Sequence, residues 1–344
     1  VLTLNGAITG AAAVTKSGAV AVQMTGAVAT YTGSTRISEG TLRLQNTTAF
    51  ASPLTVDPNA VLQIDTATGF VLPVAAGITL SNGTILTTIT TSSADLNGPL
   101  TVQADSRILV SNVTHHLRPS GGLYGSNVTL TIERYAGKSG NVQFRGSNGA
   151  FFGALVVTNA DINIADGALG TFSNATVTLQ GASVLEQGNF TAGKTLLIER
   201  LNGPAGTVES ANRSTTLIVG TADGSGSYAG RLINGPGAGA LLSLTKVGSG
   251  TQTLAGENAL SGTVTVAAGT LALGAGSFPS NASLLVVSNG AVLDASLSLA
   301  TLKAAQTLRG GGTVVGDVLA GAASRLVPGT GGPGGTRETL TLAG

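Results

Sequence analysis

LTKVGSGTQTLAGENALSGTVTVAAGTLAL, residues 244–273, is the stretch on which the fold turns. Leu242 and Leu244, Thr251 and Thr253, Val264 and Val266, and Leu271 and Leu273 recur at every second position, with Gly248, Gly250, Gly256, Asn258, Gly262 and Gly269 between the runs. Period-two alternation between turn formers predicts short strands, each with one face inward, joined by tight turns. An amphipathic helix fails on spacing. Each interior glycine would cost a helix about 1 kcal/mol, and the β-branched residues would add to that.

The pattern returns near the other end. In VTKSGAVAVQMTGAVATYTGSTRISEGTLRLQN, residues 14–46, Lys16, Gly18, Gly26, Gly33, Gly40, Thr41, Leu42 and Leu44 answer Lys246, Gly248, Gly256, Gly262, Gly269, Thr270, Leu271 and Leu273. A weaker copy starts at Lys138, with Gly140, Gly146, Asn148, Phe152, Gly153 and Val156. Recurrence at this length marks a solenoid, whose rungs bury a core only by stacking on one another. Three repeat blocks are expected, 1–127, 128–215 and 216–344, in one β-solenoid over 1–344. The recurring lysine is expected to be a solvated cation at a turn.

Lysine-x-glycine, then GxNxxxG, then GTLxL resembles the autotransporter-associated β-strand repeat of passenger regions in large bacterial surface proteins. The resemblance covers 216–274 and 1–46 best, 128–164 weakly, with support at Leu308–Val315 and Leu326–Gly329. It implies a right-handed parallel β-helix outside a bacterial cell, a scaffold with no catalytic site. The expected fold is therefore all-β, an elongated single continuous stack.

Composition agrees. Of 344 residues 42% are hydrophobic, which supplies a long core, but aromatics are 3% and Trp is absent, so Val, Leu, Ile, Ala and Thr must fill it. A narrow interior of stacked rungs suits those residues and is expected to leave little room for large rings. Charged residues are 10%, against roughly 25% in ordinary domains. A net charge of +1 gives no basic stripe, so nucleic acid is not an expected partner. Cysteine is absent, and no apolar run reaches about 18 residues, so no membrane-spanning helix is expected within this segment.

Between the repeats, strands are expected to continue with short, even spacing, and Leu297–Leu308 reads better as strands with a turn than as a helix. Residues 114–127, THHLRPSGGLYGSN, break the rhythm and are expected to project as a loop. His115, His116, Arg118 and Tyr124 are its candidate ligand contacts, for a glycan or protein partner. Asn159, Asp161 and Asn163, followed by Asp166, fall at strand spacing and are expected to face solvent while Ile162 and Ile164 face the core. No catalytic, cofactor or metal site is expected. The two histidines are adjacent and point apart on a strand, and the glycine clusters Gly310–Gly312 and Gly331–Gly335 lack the context of a phosphate loop.

Both ends of the chain are written in strand style, VLTLNG and TLTLAG, so Val1, Leu2, Leu4, Leu340 and Leu342 are candidate end-to-end contacts. The function expected is a non-enzymatic structural segment of an extracellular fibre, sheath or passenger that self-associates through its ends. The alternatives are an adhesin for host or glycan ligands, a carbohydrate-active β-helix enzyme, and a phage-type fibre.

Overall fold

The structure, a computed structural model, describes the chain except residues 26–27, 30, 46–48, 66–69, 74, 90–91, 112–113, 138–139, 166–171, 188–193 and 330–337. Lys138, Asp166 and the glycine-rich 330–336 thus lie outside the described residues. The fold is a right-handed parallel β-helix, and no helix occurs among the described residues. The chain divides into two compact units, Val1–Thr171 and Phe172–Gly344.

In the first unit each coil has three faces. Leu54–Val56 lies on the first face, Val61–Asp65 on the second and Phe70–Leu72 on the third, after which Ile78–Ser81 regains the first. Each strand pairs in parallel with its counterpart one coil on. Along the second face Leu2, Val22, Leu42, Leu62, Ile85, Ile108, Ile132 and Val157 are successive Cα partners. Alternation explains the ladder: in Thr41–Gln45 the leucines are buried and the residues between them half-buried. Each leucine or isoleucine withdrawn from water in such a column stabilises the fold by ~2 kcal/mol.

The second unit repeats the plan. Thr215–Val219, Leu242–Lys246, Thr263–Val266, Leu284–Val287, Thr307–Gly310 and Arg325–Pro328 form its first face. Gly226–Tyr228, Thr251–Leu254, Thr270–Leu273, Val292–Asp294, Thr313–Val315 and Thr341–Ala343 form its second. The third face holds Val184–Gln187, Thr207–Glu209 and Arg231–Ile233, then Ala300–Leu302 with Val318–Ala320. Leu297–Leu308 is accordingly strand and turn.

Two expectations need correction. Residues 114–127 do not project as a loop. Leu117–Pro119 pairs with Ala94–Leu96, and Leu123–Arg134 pairs with Leu100–Ala104 and then Ser106–Val110, because Leu117 and Leu123 are buried in the stack. The turn between them is all small residues, and a Cβ on Gly121 would come within 2.3 Å of the Gly98 backbone beneath it. Large rings, too, are in the core. Tyr31, Phe50, Phe70, Phe144 and Phe151 of the first unit and Phe172 and Tyr228 of the second are fully buried, and Tyr31 packs edge-on to Phe50 at 5.6 Å. Third-face strands carry several of them: Phe70 is stacked on Ala94 and Phe144 on Ile164.

Candidate functional site

The repeats at 14–44 and 244–273 each run from the first face of one coil to the second face of the next. Their lysines are not at the solvated turn position the sequence suggested. Lys16 is stacked on Ile37, and Lys246 lies between Val219 and Val266, so both occupy slots that other coils fill with aliphatic residues. Lys246 is 0% exposed and Lys16 6%. The stem packs as a hydrocarbon while the ammonium reaches past the strand end.

There it finds backbone oxygens. Lys246 Nζ donates to the carbonyls of Val247 at 2.7 Å, Gly248 at 2.9 Å and Ala268 at 3.3 Å. Lys16 Nζ donates to Ser17 at 3.1 Å, to Gly18, and to Glu39 at 2.7 Å. An ammonium has three donors, and each lysine spends them on carbonyls of its own turn and of the turn one coil on. The turns have the shape this requires. Gly18, Gly40, Gly248 and Gly269 have φ of +74°, +67°, +69° and +61°, and a Cβ on Gly269 would lie 2.5 Å from the Gly248 and Gly250 oxygens.

Burial lowers the Lys246 pKa, and the nearby Asp223 carboxylate opposes that shift. The repeat's asparagine acts likewise across coils, Asn258 Nδ2 donating to the Ser277 carbonyl at 2.6 Å. These groups hold coils together and offer no reacting atom.

The other singled-out residues are placed as follows. His115 is half-buried and Tyr124 exposed, whereas His116 and Arg118 flank Leu117 on the third face. Burial, and then the charges of Arg118 and Arg145, hold the His116 pKa below its ordinary value. Of the polar group around Asp161, Asn163 does not face solvent: it is buried and accepts from Gln143 Nε2 at 3.3 Å, because side chains of neighbouring coils cover it. Val1 and Leu2 are exposed, and Leu4 lines a cavity beside Lys16. Leu340 is half-buried and Leu342 46% exposed. Among the described residues no group of His, Cys, Asp and Glu is arranged to hold a metal ion, and no helix is long and apolar enough to cross a membrane.

Sequence reasoning missed Arg145, Asp95 and the buried role of the lysines. The parity of Leu244 and Lys246, two apart on one strand, already placed that lysine inward.

The passenger-associated-transport-repeat model matches residues 14–44 and 244–273. No curated protein and no solved structure matches the chain. Two matched repeats whose lysines tie successive coils of a parallel β-helix support an autotransporter-passenger-type surface protein.

Proposed function

We propose that the chain is the structural, surface-displayed β-helix of such a passenger, extracellular and non-enzymatic, and that copies of it associate end to end. The observation that carries the first part is the repeat's wiring: its lysine ammonium and the amide nitrogen of its asparagine are bonded to backbone carbonyls that join successive coils. The second part is supported by the terminal strands. Leu2–Leu4 pairs with Val22–Met24, and Thr341–Ala343 with Thr313–Val315, each on one side only among the described residues. Leu2 is 57% and Leu342 46% exposed. An exposed strand edge is a template for another parallel strand.

Sedimentation of the chain over a hundred-fold range of concentration tests this. Mass is expected to rise with concentration, and Leu342→Pro, which adds bulk to that edge and removes one of its N–H groups, is expected to hold the chain monomeric. A monomer at every concentration would end the end-to-end reading.

A further inference from the structure

On the third face of the first unit Ala94–Leu96, Leu117–Pro119, Asn141–Phe144 and Asp161–Ile164 stack with Asp95 opposite Arg118, Leu117 opposite Val142 and Gln143 opposite Asn163. Leu117, Val142 and Ile162 fill the core; on the outer side of this face Asp95, His116 and Arg118 are half-buried, while Asn141, Gln143 and Asn163 are covered. Two guanidiniums, of Arg118 and Arg145, and two carboxylates, of Asp95 and Asp161, share this face. The Asp95 carboxylate lies 3.7 Å from the Arg118 guanidinium and 3.5 Å from that of Arg145, so two cations share one anion at distances beyond a good hydrogen bond. Arg145 Nε is held by Gln143 Oε1 at 2.8 Å, which aims the rest of its fork outward from that bond.

Around this pair, polar atoms are buried without hydrogen bonds. Arg118 Nε, His116 Nδ1 and Asn141 Oδ1 have no hydrogen-bond partner, and Asp95 Oδ1 meets only the Arg145 guanidinium at 3.5 Å; the four are half of the buried side-chain polar atoms without a hydrogen bond among the described residues. The Asn141 residue is only 7% exposed. Leaving such groups unpaired costs ~1–3 kcal/mol each, so their gathering in one patch needs an explanation that packing does not supply. The set has two chemistries. Guanidinium donors suit a carboxylate or sulfate, taken by the flat fork of arginine. An amide oxygen and an imidazole nitrogen suit hydroxyl groups. A sugar bearing an acid group presents both within one or two rings.

We propose that this face binds an acidic polysaccharide through its uronate carboxylates, Arg118 and Arg145 taking the acid group and Asn141 and His116 the ring hydroxyls. The proposal rests on the surface-display reading for access to such a polymer, and on nothing else in it. With a net charge of +1 the chain has no general affinity for polyanions, so binding is specific to this patch.

The test is binding of the isolated full chain to immobilised polygalacturonate, dextran sulfate and neutral dextran at about 0.15 M salt. Polygalacturonate is expected to bind and neutral dextran not to. The Arg118→Gln, Arg145→Gln double variant is expected to lose ten-fold or more in affinity, and Asn141→Ala about three-fold. Because removing half-buried arginines can disturb folding, Asp95→Asn supplies the opposite arm: it removes the competing anion and is expected to raise affinity several-fold. Arg107→Gln, on the second face where Arg107 pairs with Glu133, is expected to change nothing. Equal binding to neutral dextran, an equal loss in Arg107→Gln, or no gain in Asp95→Asn overturns the site, and binding to dextran sulfate alone overturns the uronate assignment. Failure of self-association leaves this result untouched, so the two readings fall separately.

Discussion

Lys16 and Lys246 sit in the same motif and donate to three carbonyls each, but the coil that precedes them differs. Over Lys246 the preceding coil is closed: a Cβ on Gly220 would stand 3.2 Å from its Nζ, and Asp223 of that coil accepts from the Ser249 amide and hydroxyl. Beside Lys16 a cavity of about 240 Å³ opens, lined by Leu2, Leu4, Val14, Val22 and Met24 among others. The repeat dictates the wiring, and the neighbouring coil dictates how far from water that wiring operates. A buried cation is tolerated only where every N–H is met, and the carbonyls that meet it are stranded in turn if it is removed.

Replacing the ammonium breaks the comparison most sharply. Lys246→Met keeps the stem and leaves the oxygens of Val247, Gly248 and Ala268 without their donor beneath the closed preceding coil. A loss of about 4 kcal/mol is expected in denaturant unfolding of the second unit. Lys16→Met frees carbonyls of the exposed residues Ser17, Gly18 and Glu39, where water replaces the lost donor, and about 1 kcal/mol is expected. Equal losses at the two sites would show that the neighbouring coil is irrelevant.

The same contrast separates what was legible in the sequence from what was not. Strands and turns were legible because alternation and glycine spacing are local, so the expected strand at Val264–Val266 lies within the observed Thr263–Val266. The inward lysine was present in the parity of Val14 with Lys16 but was overruled by the general preference of lysine for water. That preference fails here because a turn of the chain supplies three carbonyls at the end of the stem. Residues 114–127 were misread for a related reason. Histidines, proline and paired glycines resemble a loop, while the two buried leucines that keep the segment in the stack are a signal too sparse to outweigh them. Asp95 and Arg145 lie one coil to either side of Arg118, a neighbourhood that only the register reveals.

A smaller effect is expected from the turn that receives the ammonium. Gly269 has φ +61°, and an added Cβ would lie 2.5 Å from two backbone oxygens of the preceding coil, whereas Gly290, φ +76°, has nothing within 4 Å. Both alanine variants incur the left-handed penalty of about 1 kcal/mol, but only Gly269→Ala must also push the stacked turns apart. A loss of ~3 kcal/mol is expected for Gly269→Ala and ~1 kcal/mol for Gly290→Ala by thermal or denaturant unfolding. Matching losses would mean that φ alone governs these turns and that the closeness of the stack beside Lys246 counts for little.

The smallest effect concerns Asp223 of the coil before Lys246; the carboxylate near Lys16, Glu39, belongs to the following coil and accepts from the Gly18 amide. Hydrogen bonds from the Ser249 amide and hydroxyl, and then the charge of Lys246, hold the Asp223 pKa below its ordinary 3.8. In the unfolded chain that carboxyl takes up its proton at the ordinary value, so on acidification the unfolded state binds the proton first. The stabilisation is therefore complete above 3.8 and is lost as pH falls through the lower folded value. Asp223→Asn keeps the size and removes the charge. Parent and variant are expected to differ slightly in melting temperature at about pH 7 and to converge at about pH 2 to 3. Because Asp223 also favours the Lys246 ammonium, the difference at neutral pH is expected to shrink in a Lys246→Met background, leaving the part carried by the Ser249 hydrogen bonds. A gap of unchanged size in that background would mean that Asp223 only caps the Ser249 turn, and that Lys246 is held by its three carbonyls alone.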